Sequence, residues 1–129
     1  ISFKNKKLYD KLIYLGHIEN PDQIIPIADI FILLSKREGF GLSIIEASSC
    51  SIPIIANNIV GLRDSVSENK TGILIDNFDN FRDYNKIKEI ISDNNLRKNL
   101  GENGRLYVKK YFEKKDVINY LYSELINYI

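Results

Sequence analysis

Methionine is absent from the 129 residues, and cysteine occurs once, at Cys50. One cysteine excludes a disulfide framework, so nothing in the chain calls for an oxidising compartment. Cys50 itself reads as a small buried residue of a helix. With no initiator methionine, the sequence reads as an excerpt whose start lies upstream. No apolar stretch approaches the roughly 20 residues of a membrane-spanning helix. The opening Ile1-Ser2-Phe3-Lys4-Asn5-Lys6-Lys7 carries no apolar segment behind its charges, so it does not read as a secretory leader. With a net charge of +1, nothing argues for a broad basic surface for nucleic acid or an anionic membrane. There is no internal repeat and no low-complexity linker, which leaves one domain or one piece of a larger one.

What is present is ordinary globular composition, 44% hydrophobic and 27% charged. A core at this length buries roughly two-thirds of the surface of the unfolded chain. Short apolar runs predict strands at residues 12–15, 29–35, 53–56 and 72–75. The second run is continuously apolar rather than alternating, as suits a parallel strand covered on both faces. Pro53 is tolerated as the first residue of its strand. Between the strands, Asn20-Pro21-Asp22 opens a short helix reaching Ile27, and a second helix follows Leu42, with Leu42, Ile45 and Ser49 sharing a face. A further short helix spans about 62–67. Helices are then expected at 83–92 and 96–112, the latter with Gly101 and Gly104 as weak points. Asp116 is placed to cap a last helix through Tyr128, with Val117, Leu121, Leu125 and Tyr128 along one face. Alternating strands and helices predict an α/β domain, a partial doubly wound parallel sheet of about four strands with a helical C-terminal tail.

The stretch "REGFGLSIIEASS" carries the densest chemistry. It lies after a strand and before a helix, where open α/β sheets place ligands beyond the carboxyl ends of their strands. Gly39 and Gly41 let a ligand approach the main chain. A helix starting at Leu42 presents free N–H groups and a positive dipole end, a combination that holds a phosphate. Glu46 lies about one turn into that helix, where a carboxylate can accept two hydrogen bonds from a vicinal diol such as a ribose. Glu38 can reach hydroxyls beyond the phosphates. The order of carboxylate, amides and carboxylate matches the sugar, diphosphate and ribose of a nucleotide-sugar. Taken alone, each glutamate also reads as a solvated surface residue.

A longer passage resembles a known family. Ala28-Asp29, Ser35, Glu38-Gly39-Phe40-Gly41-Leu42, Glu46-Ala47, Pro53-Ile54-Ile55-Ala56, Gly61 and Thr71-Gly72 fall in the order seen in the donor-binding half of retaining, two-domain (GT-B) glycosyltransferases of group 1, the family 4-like enzymes. The pair Glu38 and Glu46 falls on that family's two spaced glutamates, and "DKLIYLGHI" and "LRKNLGENGRLYVKKYF" resemble its flanking segments. The resemblance implies a retaining sugar transfer from a nucleoside-diphosphate sugar to a glycan or lipid-linked acceptor. It implies that Glu46 binds the ribose, that the amides of Gly41, Leu42 and Ser43 face the diphosphate, and that Glu38, Gly39 and Phe40 line the transferred sugar. Glu38 would orient that sugar and stabilise positive charge at its anomeric carbon. His17 and Ile18 would form part of the nucleobase wall, although His17 also reads as a plain loop histidine. No Asp-x-Asp motif is present, so a metal-bridged diphosphate is not indicated and no metal cofactor is expected. The implied location is cytoplasmic, or peripheral at the inner face of the membrane, with no nucleic-acid partner.

The sequence departs from the family pattern in places. Ser51 stands where the family prefers glycine, Leu34 replaces a proline, Val60 the first of two glycines and Asp64 a glutamate. The acceptor-binding domain and the first two strand–helix units have no counterpart in the sequence. In the strand order 3-2-1-4-5-6 this chain supplies the third through sixth strands, so one edge of the strand at 29–35 is left open. The chain is therefore expected to pair an edge strand with another molecule, to rearrange so that residues 12–15 pair with 30–34, or to be marginally stable. Three other functions stay open: a glycoside hydrolase using Glu38 and Glu46, a nucleotide-sugar epimerase of the same fold, and a non-catalytic nucleotide-binding or assembly module.

Overall fold

Side-chain alternation in two short strands builds the centre of the molecule. Our computed structural model describes residues 11–76, 81–113 and Ser123. Among these residues three strands form one parallel sheet in the order β1-β2-β3: β1 is Phe31–Leu33, β2 Ile54–Asn57 and β3 Gly72–Ile75. Phe31 aligns with Ile54, and Ile54 with Gly72. With a period of two, Ile54, Ala56 and Leu74 enter one core cluster, whereas Ile55, Ile73 and Ile75 enter another on the opposite face. Both faces of β2 and β3 are thus covered, as the continuous apolar runs predict.

Among the described residues four α-helices flank the sheet: α1 Leu42–Ser49, α2 Val60–Arg63, α3 Phe81–Ser92 and α4 Asn94–Tyr111. Ile44, Ala47 and Leu62 of α1 and α2 fill the first cluster; Ile90 of α3 and Leu100 of α4 fill the second. The predicted short helix after Asn20 is two 3₁₀ turns, Pro21–Gln23 and Ile25–Ile27. Asp93 caps α4, accepting hydrogen bonds from the N–H groups of Asn95 at 2.8 Å and Leu96 at 3.0 Å. The predicted helix after Asp116 lies outside the described residues.

Two expectations are corrected. Residues 12–15 form no strand and do not pair with β1; Leu12, Ile13, Tyr14 and Leu15 are exposed. In the doubly wound order a third strand sits beside the second, not the fourth, and no described strand occupies that place. An apolar run without a neighbour has nothing to complete its backbone hydrogen bonds. The sheet therefore has three described strands rather than four, and β1 is an open edge. The far edge is managed differently: Glu68 accepts from the N–H of Leu74 at 3.1 Å and from Lys86 at 2.6 Å.

The second correction concerns the face of α1. The buried residues are Ile44, Ala47 and Ser48, while Leu42 and Ser49 are exposed. Ile44 and Ala47 turn to the cluster of the sheet and α2, and Ser48 meets α4, whose glycines are the seam rather than weak points. A Cβ on Gly101 would stand 1.9 Å from the carbonyl oxygen of Ser51, and one on Gly104 would stand 3.5 Å from Cβ of Ser48. Ser48 Oγ is buried in this seam without a hydrogen-bond partner. Ser51 has φ of 62°, in the left-handed region, which accounts for the family's glycine at this place.

Candidate functional site

The loop at 34–41 leaves the carboxyl end of β1, and the residues after β2 hold it in place. Asn57 Nδ2 donates to the carbonyl of Ser35 at 3.2 Å. The Ser65 hydroxyl donates to the carbonyl of Phe40. Gly61 lies so close that a Cβ there would stand 1.9 Å from the Glu38 carbonyl oxygen and 2.7 Å from its carbon. Gly41 closes the loop with φ 67° and ψ 49°, and its missing Cβ leaves room for Leu62 Cδ2, which such an atom would approach to 2.6 Å. Gly39 has open space where a Cβ would be.

Gly41 is the N-cap of α1 and offers no side chain to cap it. Its carbonyl accepts from the N–H of Ile44 at 2.9 Å. The N–H groups of Leu42 and Ser43 have no hydrogen-bond partner among the described residues. Those two donors, the dipole of α1 and the open space at Gly39 lie together at the carboxyl end of the sheet, where an anion can be held. Glu38 and Glu46 are exposed and form no ion pair with any described residue. Phe40 is 39% exposed and half-packed, its ring edge-on to Phe112 with centroids 5.5 Å apart. Leu42 is exposed and Ser43 half-buried. His17 is exposed and Ile18 half-buried; no hydrogen bond or ion pair ties either to the loop.

Phe112 also meets Tyr107 at 5.8 Å, and Tyr107 donates its hydroxyl to the carbonyl of Asp64 at 3.0 Å. The end of α4 thereby braces both the loop and the segment after α2. Burial, then the neighbouring Tyr111 and Asp64, push the Tyr107 phenol up from its ordinary value of 10.0. A polar chain crosses the carboxyl ends of β2 and β3: Arg63 donates to Asn58 at 2.8 Å, Asn58 to Asp76 at 2.7 Å, and Arg82 to Asp76 at 2.7 Å. Arg82 also donates to the buried Asp83 at 3.1 Å, and these carboxylates raise the guanidinium further above its usual range.

The sequence reading named the loop and the helix start that the structure brings together. It did not connect Asn57, Ser65, Tyr107 or Phe112 with the loop, whose position they set. Asn57 and Ser65 are unremarkable in type, and Phe112 is 72 positions from Phe40 with only helical spacing to mark it. No group of three metal-binding side chains occurs among the described residues. No described helix is long and apolar enough to cross a membrane.

The sequence profile of the family described as "Glycosyl transferases group 1" matches residues 2–107. This chain belongs to that family. Among curated relatives, the N-acetyl-alpha-D-glucosaminyl L-malate synthase of Bacillus anthracis is 28% identical over 116 residues, covering 90% of this chain and 30% of that protein. The capsular polysaccharide biosynthesis glycosyltransferase CapM of Staphylococcus aureus is 31% identical over 104 residues, covering 81% of this chain and 27% of that protein. This group 1 chain thus spans less than a third of the length of either relative. A solved structure of a TarM mutant of S. aureus, in complex with Fondaparinux, alpha-GlcNAc-glycerol and UDP, superposes with a TM-score of 0.75 at 25% identity, over 88% of this chain and 23% of that one. That likeness agrees with the parallel α/β architecture and places the group 1 chain on a Rossmann-like sheet.

Proposed function

We propose that this chain is the donor-binding part of a retaining glycosyltransferase that moves a sugar from a nucleoside-diphosphate sugar to a glycan or lipid-linked acceptor in polysaccharide biosynthesis. One observation carries the reading: the uncapped start of α1 at left-handed Gly41, set between exposed Glu38 and Glu46. The amides of Gly41, Leu42 and Ser43 face the diphosphate, and the carboxylate of Glu46 takes the ribose hydroxyls. Glu38, Gly39 and Phe40 line the sugar, with Glu38 orienting it and stabilising positive charge at the anomeric carbon. His17 and Ile18 belong to the nucleobase wall. Negative charge growing on the departing diphosphate meets fixed N–H dipoles, which need no reorganisation as the bond breaks. The UDP in the TarM complex supports a nucleoside diphosphate as leaving group. No metal ion has a role in this reading. The acceptor is held by a second domain of the complete enzyme, which works in the cytoplasm or at the inner membrane face. The open edge of β1, with Ile32 and Leu34 exposed, pairs with a further strand: one of the complete enzyme's own, or that of a second copy of this chain.

Titration with UDP tests the donor site. The amide signals of Gly41, Leu42 and Ser43 should shift, and Glu46→Ala should weaken the response. Unmoved amides at millimolar UDP would overturn the proposal. Release of product from a nucleotide-sugar, but not from a simple glycoside, separates this reading from a hydrolase.

A further inference from the structure

A glycine does not settle which way its peptide faces. Gly41 tolerates either orientation of the peptide that joins it to Phe40, so the direction must be set from elsewhere. No peptide bond among the described residues is cis, so the Phe40 carbonyl and the Gly41 N–H point in opposite directions. The carbonyl is turned into the protein, where it accepts the hydroxyl of Ser65, a residue only 1% exposed. The Gly41 N–H is therefore turned away from that buried hydroxyl, and it has no hydrogen-bond partner among the described residues. Ser65 is itself well seated. Its N–H donates to the carbonyl of the buried Leu62 at 3.1 Å, and its Oγ would stand 3.4 Å from a Cβ on Gly41. Leu62 and Val66 beside it belong to the first core cluster, whose apolar side chains offer the hydroxyl no acceptor.

The next peptide is held by the helix. The Gly41 carbonyl accepts from the N–H of Ile44 at 2.9 Å and from that of Ile45 at 3.4 Å, which turns the Leu42 N–H back toward the loop. With Gly41 left-handed and Leu42 the first residue of α1, successive N–H groups converge on one concavity, as in backbone nests that bind anions. The N–H groups of Leu42 and Ser43 take this direction from the helix start alone. That of Gly41 joins them only while the Phe40 carbonyl stays on Ser65. Reversal of the peptide would put a carbonyl oxygen where the N–H stands, so a donor would be lost and a negative dipole end would face the anion.

We infer that Ser65 is a positioning residue for the donor site: it does not touch the ligand, but by holding the Phe40 carbonyl it aims the Gly41 N–H at the diphosphate. The inference rests on the donor-site reading given above. The test is a ¹H–¹⁵N titration of the full 129-residue chain with UDP and with inorganic pyrophosphate. Ser65→Ala should weaken both by about tenfold, the loss of one hydrogen bond to a charged group. In the free protein it should also move the Phe40 carbonyl-carbon signal upfield. Ser65→Thr keeps the donor and should restore both affinities; where its added methyl disturbs the spectrum, Ser65→Cys, a weaker donor, takes its place and should fall between Ser65→Ala and the parent. Glu46→Ala should weaken UDP by the same factor in the parent and in the Ser65→Ala background, because the two residues serve different parts of the ligand. A general collapse of the loop would instead make Glu46→Ala silent in that background. If neither ligand moves the parent amides of Gly41, Leu42 and Ser43, the donor-site reading and this inference fall together. If the parent binds, then unchanged affinity in Ser65→Ala, no recovery in the threonine or cysteine variant, or a silent Glu46→Ala overturns the inference and leaves the donor site standing.

Discussion

Gly61→Ala is the substitution that most directly tests how the glutamate loop is held. A Cβ at this position would stand 1.9 Å from the Glu38 carbonyl oxygen, 2.7 Å from its carbon and 3.1 Å from the Gly39 oxygen. All three atoms are backbone, so no side-chain rotation relieves the clash. Restoring ordinary contact demands that α2 and the loop separate by over 1 Å. The Asn57–Ser35 and Ser65–Phe40 hydrogen bonds resist that movement, and Leu62, packed against Gly41, must move with α2. Overpacking of this kind costs about 1–3 kcal/mol. At a urea slope of roughly 2 kcal/mol per molar, the unfolding midpoint falls by about 0.5–1.5 M. If Glu38 orients the transferred sugar as proposed, a misplacement of about 1 Å there costs the complete enzyme on the order of 10²-fold in rate. Gly39→Ala is the matched control, since its Cβ enters open space; its midpoint should stay within about 0.5 kcal/mol of the parent. Urea unfolding of both variants supplies the readings. Equal midpoints for Gly61→Ala and the parent, or an equal fall in midpoint for Gly39→Ala, would refute the reasoning that close backbone approach positions this loop.

Three other outcomes are expected. Ser51→Gly relieves a left-handed serine and should raise stability by about 0.5–1 kcal/mol, read from the urea midpoint. Ser48→Ala removes a buried hydroxyl that has no partner and should stabilise by about 1 kcal/mol in the same assay. Tyr107 has its pKa raised on folding, so its contribution is complete below the ordinary tyrosine value of 10.0 and is lost as pH rises through the folded-state value. Unfolding midpoints measured upward from pH 9 should therefore fall more steeply in the parent than in Tyr107→Phe.

Much of the fold was legible because it rests on local patterns. The run Gly72-Ile73-Leu74-Ile75 is a strand with the predicted bounds; of Ile87, Ile90 and Ile91, which the helical spacing groups together, Ile87 and Ile90 face the core and Ile91 is exposed. The place of the glutamate loop in the fold was legible for a similar reason: glycines at a strand-to-helix junction with flanking carboxylates are a short, ordered signal. Residues 12–15 were misread because an apolar run carries no information about whether a neighbour exists to pair with it. The face of α1 was misread because Leu42 and Ile45 are as apolar as Ile44, and only packing on the sheet, α2 and α4 chooses between them.

The sequence by itself determined the order of strands and helices from residue 31 to residue 111, the family, and the residues of the glutamate loop. Each of these is written in a contiguous stretch or in ordered short motifs. Tertiary structure alone decided that Gly101 and Gly104 form a seam, that Gly61 and Ser65 seat the loop, and that Phe112 braces Phe40. These are contacts between residues 22 to 72 positions apart, or absences of a side chain where two backbones meet. A one-dimensional pattern does not record the distance between elements, and at close approach that distance is what separates a weak helix position from a packing surface.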